Sequence, residues 1–268
     1  MLTTDLLLSP FGATAPEMVE AARVADASGY GGVWTEDHFS GSMIDRPWSH
    51  EPFTVLGAIA ESTSSIRVGP LVVNVANRHP ARIASAAGTL QSLSAGRAVL
   101  GIGAGAAPGA LYAGEYEAIG VDLGDLDARR RRLVEAIEVV KLAWAGPVDH
   151  DGEFFPVRGL HSVVPDVPRP PIIVGANSAE TALLGARHAD GVNVVRGADW
   201  EDVVREVVDV SADRALELSV YDVIDLDHPL GGDPEPMLEL GVDRRVLGVP
   251  HPYPLAPLDE IATRLASI

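Results

Sequence analysis

Short β-branched runs alternate with longer stretches of helical period along the chain, a pattern that calls for a parallel sheet with crossover helices. The first strand reads as Asp5–Ser9. A helix follows it, with Thr14 and Glu17 spaced as a capping box and Val19, Ala22 and Ala25 on one face. Ser28-Gly29 ends that helix, and the second strand is Gly32–Thr35. A helix at Pro52–Thr63 leads to the third strand, Ile66–Val73, nearly continuous in apolar residues as a strand covered on both faces should be. Pro80 opens a helix with Ile83, Ala86, Ala87 and Leu90 in one stripe, and the fourth strand is Ala98–Gly103. A further stripe runs through Leu133, Ala136, Ile137, Val140 and Trp144. The remaining strands are Pro171–Gly175, Gly191–Val195, Ser219–Leu226 and Arg244–Val249. Helices at Ser178–Ala189, Asp199–Ala215, Glu235–Leu240 and Leu258–Ala266 separate or follow them.

The count is eight strand–helix units in 268 residues. An open doubly wound sheet uses the same alternation, but eight units with no break between halves favour closure. The expected fold class is therefore α/β, a (β/α)8 TIM barrel with residues 1–268 as one domain, a size such barrels commonly have. Two stretches exceed the short-loop rule. Ala104–Asp125 leaves the C-terminal face, where barrel chemistry sits; Gly146–Pro170 contains the turn dipeptide Asp151-Gly152 and is expected to fold as a small hairpin.

Charge narrows the partners. With 38 acidic against 20 basic side chains the formal net charge is -18, which repels nucleic acid and anionic lipid. A polyanionic cofactor would need local amides and a few placed arginines to hold its phosphate. The chain has no cysteine, so disulfides, thiol nucleophiles and cysteine metal sites are excluded. Neither a membrane-spanning apolar run nor a basic leader precedes the first strand, so no membrane and a cytoplasmic location are expected.

Three suggestive motifs are set aside. Gly101-Ile102-Gly103-Ala104-Gly105 looks like half of a dinucleotide fingerprint, but the residues behind it read as loop where a helix is required. The glycines suit the close approach of a flat ligand instead. Asp37-His38 alone is half of a metal site, so no metal is expected. Arg129–Arg132 lies early in a helix and reads as a solvated basic face.

In a barrel, catalytic groups come from the C-terminal ends of different strands. The second strand delivers Trp34, Glu36, Asp37 and His38; the third delivers Asn74 and then Arg78-His79-Pro80; the fourth delivers Gly103, Ala104 and Gly105. The fifth delivers Gly175, Ala176, Asn177 and Ser178 at a helix start, where amides without partners suit an anion, or where Asn177 or Ser178 simply caps the helix. The sixth delivers Asn193 and Arg196. Asp37 and His38 offer a carboxylate and an imidazole for proton movement, or else hydrogen bonds that shape a strand end.

These stretches resemble the luciferase-like monooxygenase family, particularly its deazaflavin-dependent branch, which uses coenzyme F-420 (F420, 8-hydroxy-5-deazaflavin). The resemblance is carried by Gly32–Phe39, by Gly69-Pro70 through Asn77-Arg78-His79-Pro80, by Thr89–Arg97 leading into Gly101–Gly105, and by Pro170–Ala176 with Ala189–Asn193. It implies a barrel holding the coenzyme ring in its mouth, with Trp34, Asn74 and Gly103–Gly105 around the ring. It also implies a bulge with a non-proline cis peptide at Leu71–Val72, and a phosphate held by Gly175–Ser178 and the amides of Val194, Val195 and Arg196. Asp37 and His38 match the branch's polar, proton-handling pair. The chain departs from it at Ala106, where several deazaflavin enzymes carry a carboxylate, and Glu115 on the longer loop is a candidate substitute.

The implied function is hydride transfer between F420 and a small-molecule substrate in a homodimeric enzyme. The alternative is an FMN-dependent monooxygenase fed by a separate reductase. A cofactor-binding relative without turnover and a metal-dependent barrel hydrolase are the readings from other classes.

Overall fold

The computed structural model describes residues 2–161, 167–223, 233–256 and Leu258. Nine parallel strands form its main sheet, in the order β3-β2-β1-β11-β10-β9-β8-β5-β4. They are β1 (Thr3–Leu8), β2 (Gly32–Thr35), β3 (Arg67–Pro70), β4 (Val73–Asn74), β5 (Leu100–Gly103), β8 (Ile172–Ala176), β9 (Gly191–Val195), β10 (Glu217–Val223) and β11 (Arg244–Val249). The two edges, β3 and β4, are halves of one strand interrupted at the Leu71–Val72 cis peptide. Val73 faces Ile102 and Asn74 faces Gly103, while Val68 bridges Ala98 in parallel. The ring therefore closes, and the expected eight-stranded barrel is present with its third strand split in two.

The helices are α1 (Ala15–Ser28), α2 (Pro52–Ser62), α3 (Pro80–Leu93), α4 (Ala113–Ala118), α5 (Leu126–Ala145), α6 (Ala179–His188), α7 (Trp200–Val210) and α8 (Glu235–Glu239). Their starts follow local chemistry. Thr14 and Glu17 close the capping box on α1, and Gly29 ends that helix at φ 86°, a left-handed conformation that favours glycine. Pro52 and Pro80 occupy first turns, where a missing N–H costs nothing. The Asp125 carboxylate accepts from the Ala128 amide to start α5. Five of the eight strands read from the sequence have described ends that differ by one or two residues, and the other three match. The stretch read as a helix at Leu258–Ala266 lies outside the described residues save for Leu258, which is buried, and residues 224–226 of the expected seventh strand also lie outside them.

The hairpin expected after α5 is present as β6 (Val148–His150) and β7 (Val157–Leu160), antiparallel. The loop after β5 carries the short helix α4, which its composition had not announced. Among the described residues no helix is long and apolar enough to cross a membrane.

Two kinds of core hold the barrel. Outward-facing strand residues pack beneath the helices, as Val33 and Val68 do against Leu56 and Ile59 of α2. Inward-facing residues fill the barrel itself, with Leu7, Trp34, Val99, Ile173 and Val246 in one cluster. At the strand starts the Trp34 indole and the Arg244 guanidinium both donate to the buried Asp5 carboxylate, at 2.9 and 2.8 Å. Arg67 and Arg244 meet Glu217 beside them. This polar layer closes the N-terminal end and leaves the opposite end as the mouth.

Candidate active site

Side-chain alternation along a strand places every second residue inside the barrel. Above Leu7 and Trp34 the next inward level holds Glu36, Val72, Gly175, Asn193 and Tyr221, which floor a cavity of about 460 Å³ in the mouth. The loop carrying α4 forms one wall, and α5 with the start of α6 forms another.

The floor is shaped by the interruption of the third strand. There Val72 turns its side chain between two glycines: a β-carbon on Gly103 would lie 2.5 Å from Val72 Cγ2, and one on Gly175 would lie 2.5 Å from its Cγ1. Those glycines are small because Val72 occupies the space a side chain would need. The result is a smooth apolar surface of Leu71, Val72, Gly103 and Ala104. Gly105 follows at φ 81°, and a β-carbon there would meet Asn74 Oδ1 at 2.8 Å and the Tyr116 hydroxyl at 3.0 Å.

His38 Nδ1 lies 2.8 Å from Glu115 Oε2. The Ser40 amide donates to the other carboxylate oxygen at 3.0 Å, and Glu115 is buried. The imidazole packs against Tyr112, ring centroids 4.1 Å apart, with Phe11 at 5.1 Å. This replaces the expected Asp37–His38 pair. Asp37 instead accepts Arg78 Nε at 2.8 Å and Nη2 at 2.7 Å, plus the Asn74 amide at 3.2 Å. Its lone pairs are spent on tying the second and third strand ends together, so it is poorly placed to accept a substrate proton.

Burial pushes the Glu36 carboxyl above the usual carboxylate range; the Glu115 charge adds to this and His38 opposes it. Tyr112 is raised by burial and then by Glu36 and Glu115. Burial chiefly pushes Tyr116 up to about 12 and raises Tyr221 as well. All three phenols keep their protons at neutral pH and can donate hydrogen bonds.

The wall formed by α5 is cationic. Arg129, expected on a solvated face, is buried and turned inward, donating through Nη2 to the Gly105 carbonyl. Its Nε is buried with no hydrogen-bond partner among the described residues. Arg130 lines the cavity beside it, paired with Asp127 and Glu180, whereas Arg131 is exposed as expected. An α5 helix that buries one side and wets the other separates four consecutive arginines in this way. At the α6 start, Ser178 Oγ accepts from the Thr181 amide at 3.4 Å, so Ser178 caps the helix while it and Asn177 line the cavity.

Of the residues singled out from the sequence, Asp37, His38, Leu71, Val72, Asn74, Gly103, Ala104, Gly105, Gly175, Ala176, Asn177, Ser178 and Val195 meet around this one cavity. Three lie elsewhere. Trp34 sits one level deeper, bonded to Asp5. Val194 alternates outward into the core under α7. Arg196 stacks over Trp200 and pairs with Asp222 at 2.7 Å, and its amide donates to the Tyr221 carbonyl, so that amide is not available to a phosphate. The sequence marks Glu36 only as a strand-end residue and Arg129 only within a run that reads as a solvated face, and it gives Tyr112, Tyr116 and Tyr221 no role. No local pattern marks them, since contacts across the mouth assemble them.

The chain belongs to the luciferase-like monooxygenase family, whose model matches residues 4–220. It is 30% identical over 242 residues to an F420-dependent glucose-6-phosphate dehydrogenase of Rhodococcus erythropolis, covering 83% of this chain and 67% of that protein. It is 32% identical over 205 residues to a 5,10-methylenetetrahydromethanopterin reductase of Archaeoglobus fulgidus, covering 74% and 55% respectively. The chain thus spans between half and two thirds of the length of these relatives. An F420-dependent secondary alcohol dehydrogenase solved with an F420–acetone adduct superposes with a TM-score of 0.81 at 19% identity, covering 98% of both chains. At that identity the likeness bears on the fold.

Proposed function

We propose that this chain is an F420-dependent oxidoreductase that exchanges a hydride with a small organic substrate in the barrel mouth. The observation that carries the reading is the His38–Glu115 pair set beside a smooth apolar floor, with a buried arginine on the α5 wall. The family membership and the F420-dependent relatives support the choice of coenzyme.

The residues present fit such a group. A flat ring suits the Leu71–Val72 and Gly103–Gly105 surface, and the unpartnered Arg129 Nε, together with the residues from Gly175 to Ser178, suits a phosphate. When bound, the deazaflavin supplies the hydride chemistry. The chain's own part is orientation and the accompanying proton. With Nδ1 committed to Glu115, Nε2 is the His38 nitrogen left to take a proton from a substrate hydroxyl or return it to a carbonyl oxygen. Glu115 holds the ring in one orientation, and the Phe11 and Tyr112 rings restrict water around it.

The test is to titrate the apoprotein with F420 and with FMN, following ring fluorescence, and then to measure hydride exchange with a panel of alcohols, imines and activated alkenes. Saturable F420 binding with exchange is expected. Tight FMN binding with none of the deazaflavin would overturn the reading.

A further inference from the structure

The Glu36 carboxyl is the conspicuous group of the cavity that the reading above does not use. It stands one inward step above Trp34 on the second strand, at the inner end of the cavity. No hydrogen-bond donor among the described residues reaches it, unlike Asp37 next to it, which is held by Arg78. The cations of the lining, Arg129 and Arg130, both belong to α5. Nearer Glu36 the polar groups are the phenols of Tyr112 and Tyr221 and the His38–Glu115 pair. The Arg78 charge is already matched by Asp37 and Glu51.

We propose that Glu36 makes the inner end of the cavity a subsite for the hydroxyl of an uncharged alcohol, and that phosphorylated or carboxylated substrates are refused there. The half-buried carboxyl faces the cavity with no protein donor on it, and a substrate hydroxyl supplies the hydrogen bond that such groups ordinarily have. The tyrosine hydroxyls alongside offer donors to the substrate oxygen. An anion would meet Glu36 and Glu115, with the His38 imidazole beside them already engaged by Glu115, and like charges brought together in a half-enclosed pocket repel. Burial already disfavours a negative charge at Glu36, and a second one brought beside it is disfavoured further. The proposal rests on the functional reading above and names the substrate class of the same site.

The experiment compares cyclohexanol with 4-hydroxycyclohexanecarboxylate, and 2-butanol with 3-hydroxybutyrate. Binding is measured by calorimetry on the protein with and without F420, and hydride exchange is measured on the loaded protein. The uncharged member of each pair is expected to bind at least about tenfold more tightly. In Glu36→Gln that preference should shrink to within about threefold. Melting temperature and F420 affinity report whether the variant folds, and Glu36→Ala is the second variant should Glu36→Gln fail to. Equal or tighter binding of the carboxylates, no binding of either alcohol, or an unchanged preference in the variants overturns the proposal. Failure of F420 to bind would instead sink the functional reading, while the calorimetric preference without coenzyme would still be read.

Discussion

His38 Nδ1 stands 2.8 Å from Glu115 Oε2, across 77 positions of sequence. The carboxylate comes from α4 in the long loop after β5, and the imidazole from the end of β2. If this pair handles the proton, His38→Ala should lower the rate of hydride exchange by about 10²–10⁴-fold. F420 affinity, read by fluorescence titration, should stay nearly constant. Glu115→Gln should produce a smaller loss of rate, since the ring keeps a hydrogen-bonding neighbour but loses the carboxylate that fixes its orientation. Equal losses of rate and affinity would mean that the pair anchors the coenzyme instead.

Gly175→Ala places a β-carbon 2.5 Å from Val72 Cγ1, a distance that requires Val72 or the β8 strand to shift. Overpacking of this kind typically costs about 1–3 kcal/mol. Urea unfolding should show that loss, and F420 affinity should fall as the floor moves. Adding Val72→Ala should restore stability, because the clash is with that side chain alone at this distance. A double variant no better than Gly175→Ala would refute the wedge.

Arg129→Gln removes a buried cation whose Nε has no partner among the described residues. A charge-assisted hydrogen bond to a ligand phosphate is worth about 1.5–3 kcal/mol, so F420 affinity should fall by about ten- to a hundredfold. The exchange rate at saturating coenzyme should change little. Unaltered affinity would exclude the α5 wall as the phosphate side.

Asp26 gives a pH-dependent prediction away from the mouth. Burial draws its carboxyl upward, but the Ser64, Ser65 and Ile66 amides, with the Ser64 hydroxyl, outweigh that and hold it below the usual carboxylate range. A depressed folded-state pKa stabilises the fold above the unfolded pKa, and that gain is lost as pH falls through the folded value. Asp26→Asn should therefore cost about 1–2 kcal/mol near neutrality. The difference should shrink towards acid pH, as followed by urea unfolding across the range. A constant difference would show that the charge is irrelevant there.

The barrel was legible because its signals are local. Period-2 and period-3.6 apolar patterns, the Thr14–Glu17 capping box and Pro52 and Pro80 at helix starts each act within a few residues. The strand-end glycines were legible as small, though the reason for their smallness was not: Gly103 and Gly175 make room for Val72, which lies on a different strand from either. The Asp37–His38 pairing failed for a related reason. Neighbours in sequence at a strand end point in different directions, so Asp37 reached Arg78 while His38 reached Glu115.

Order of residues along the chain was enough to set the eight-stranded α/β architecture and which end carries the chemistry, because pattern and turn chemistry act over short range. It was not enough to say which carboxylate serves His38, that Arg129 faces inward while Arg131 faces water, or that Glu36 is left without a donor. Those follow from closure of the ring. Once β4 pairs with β5 and the loop with α4 folds beside the mouth, groups far apart in sequence become neighbours in a half-enclosed space where water screens them less.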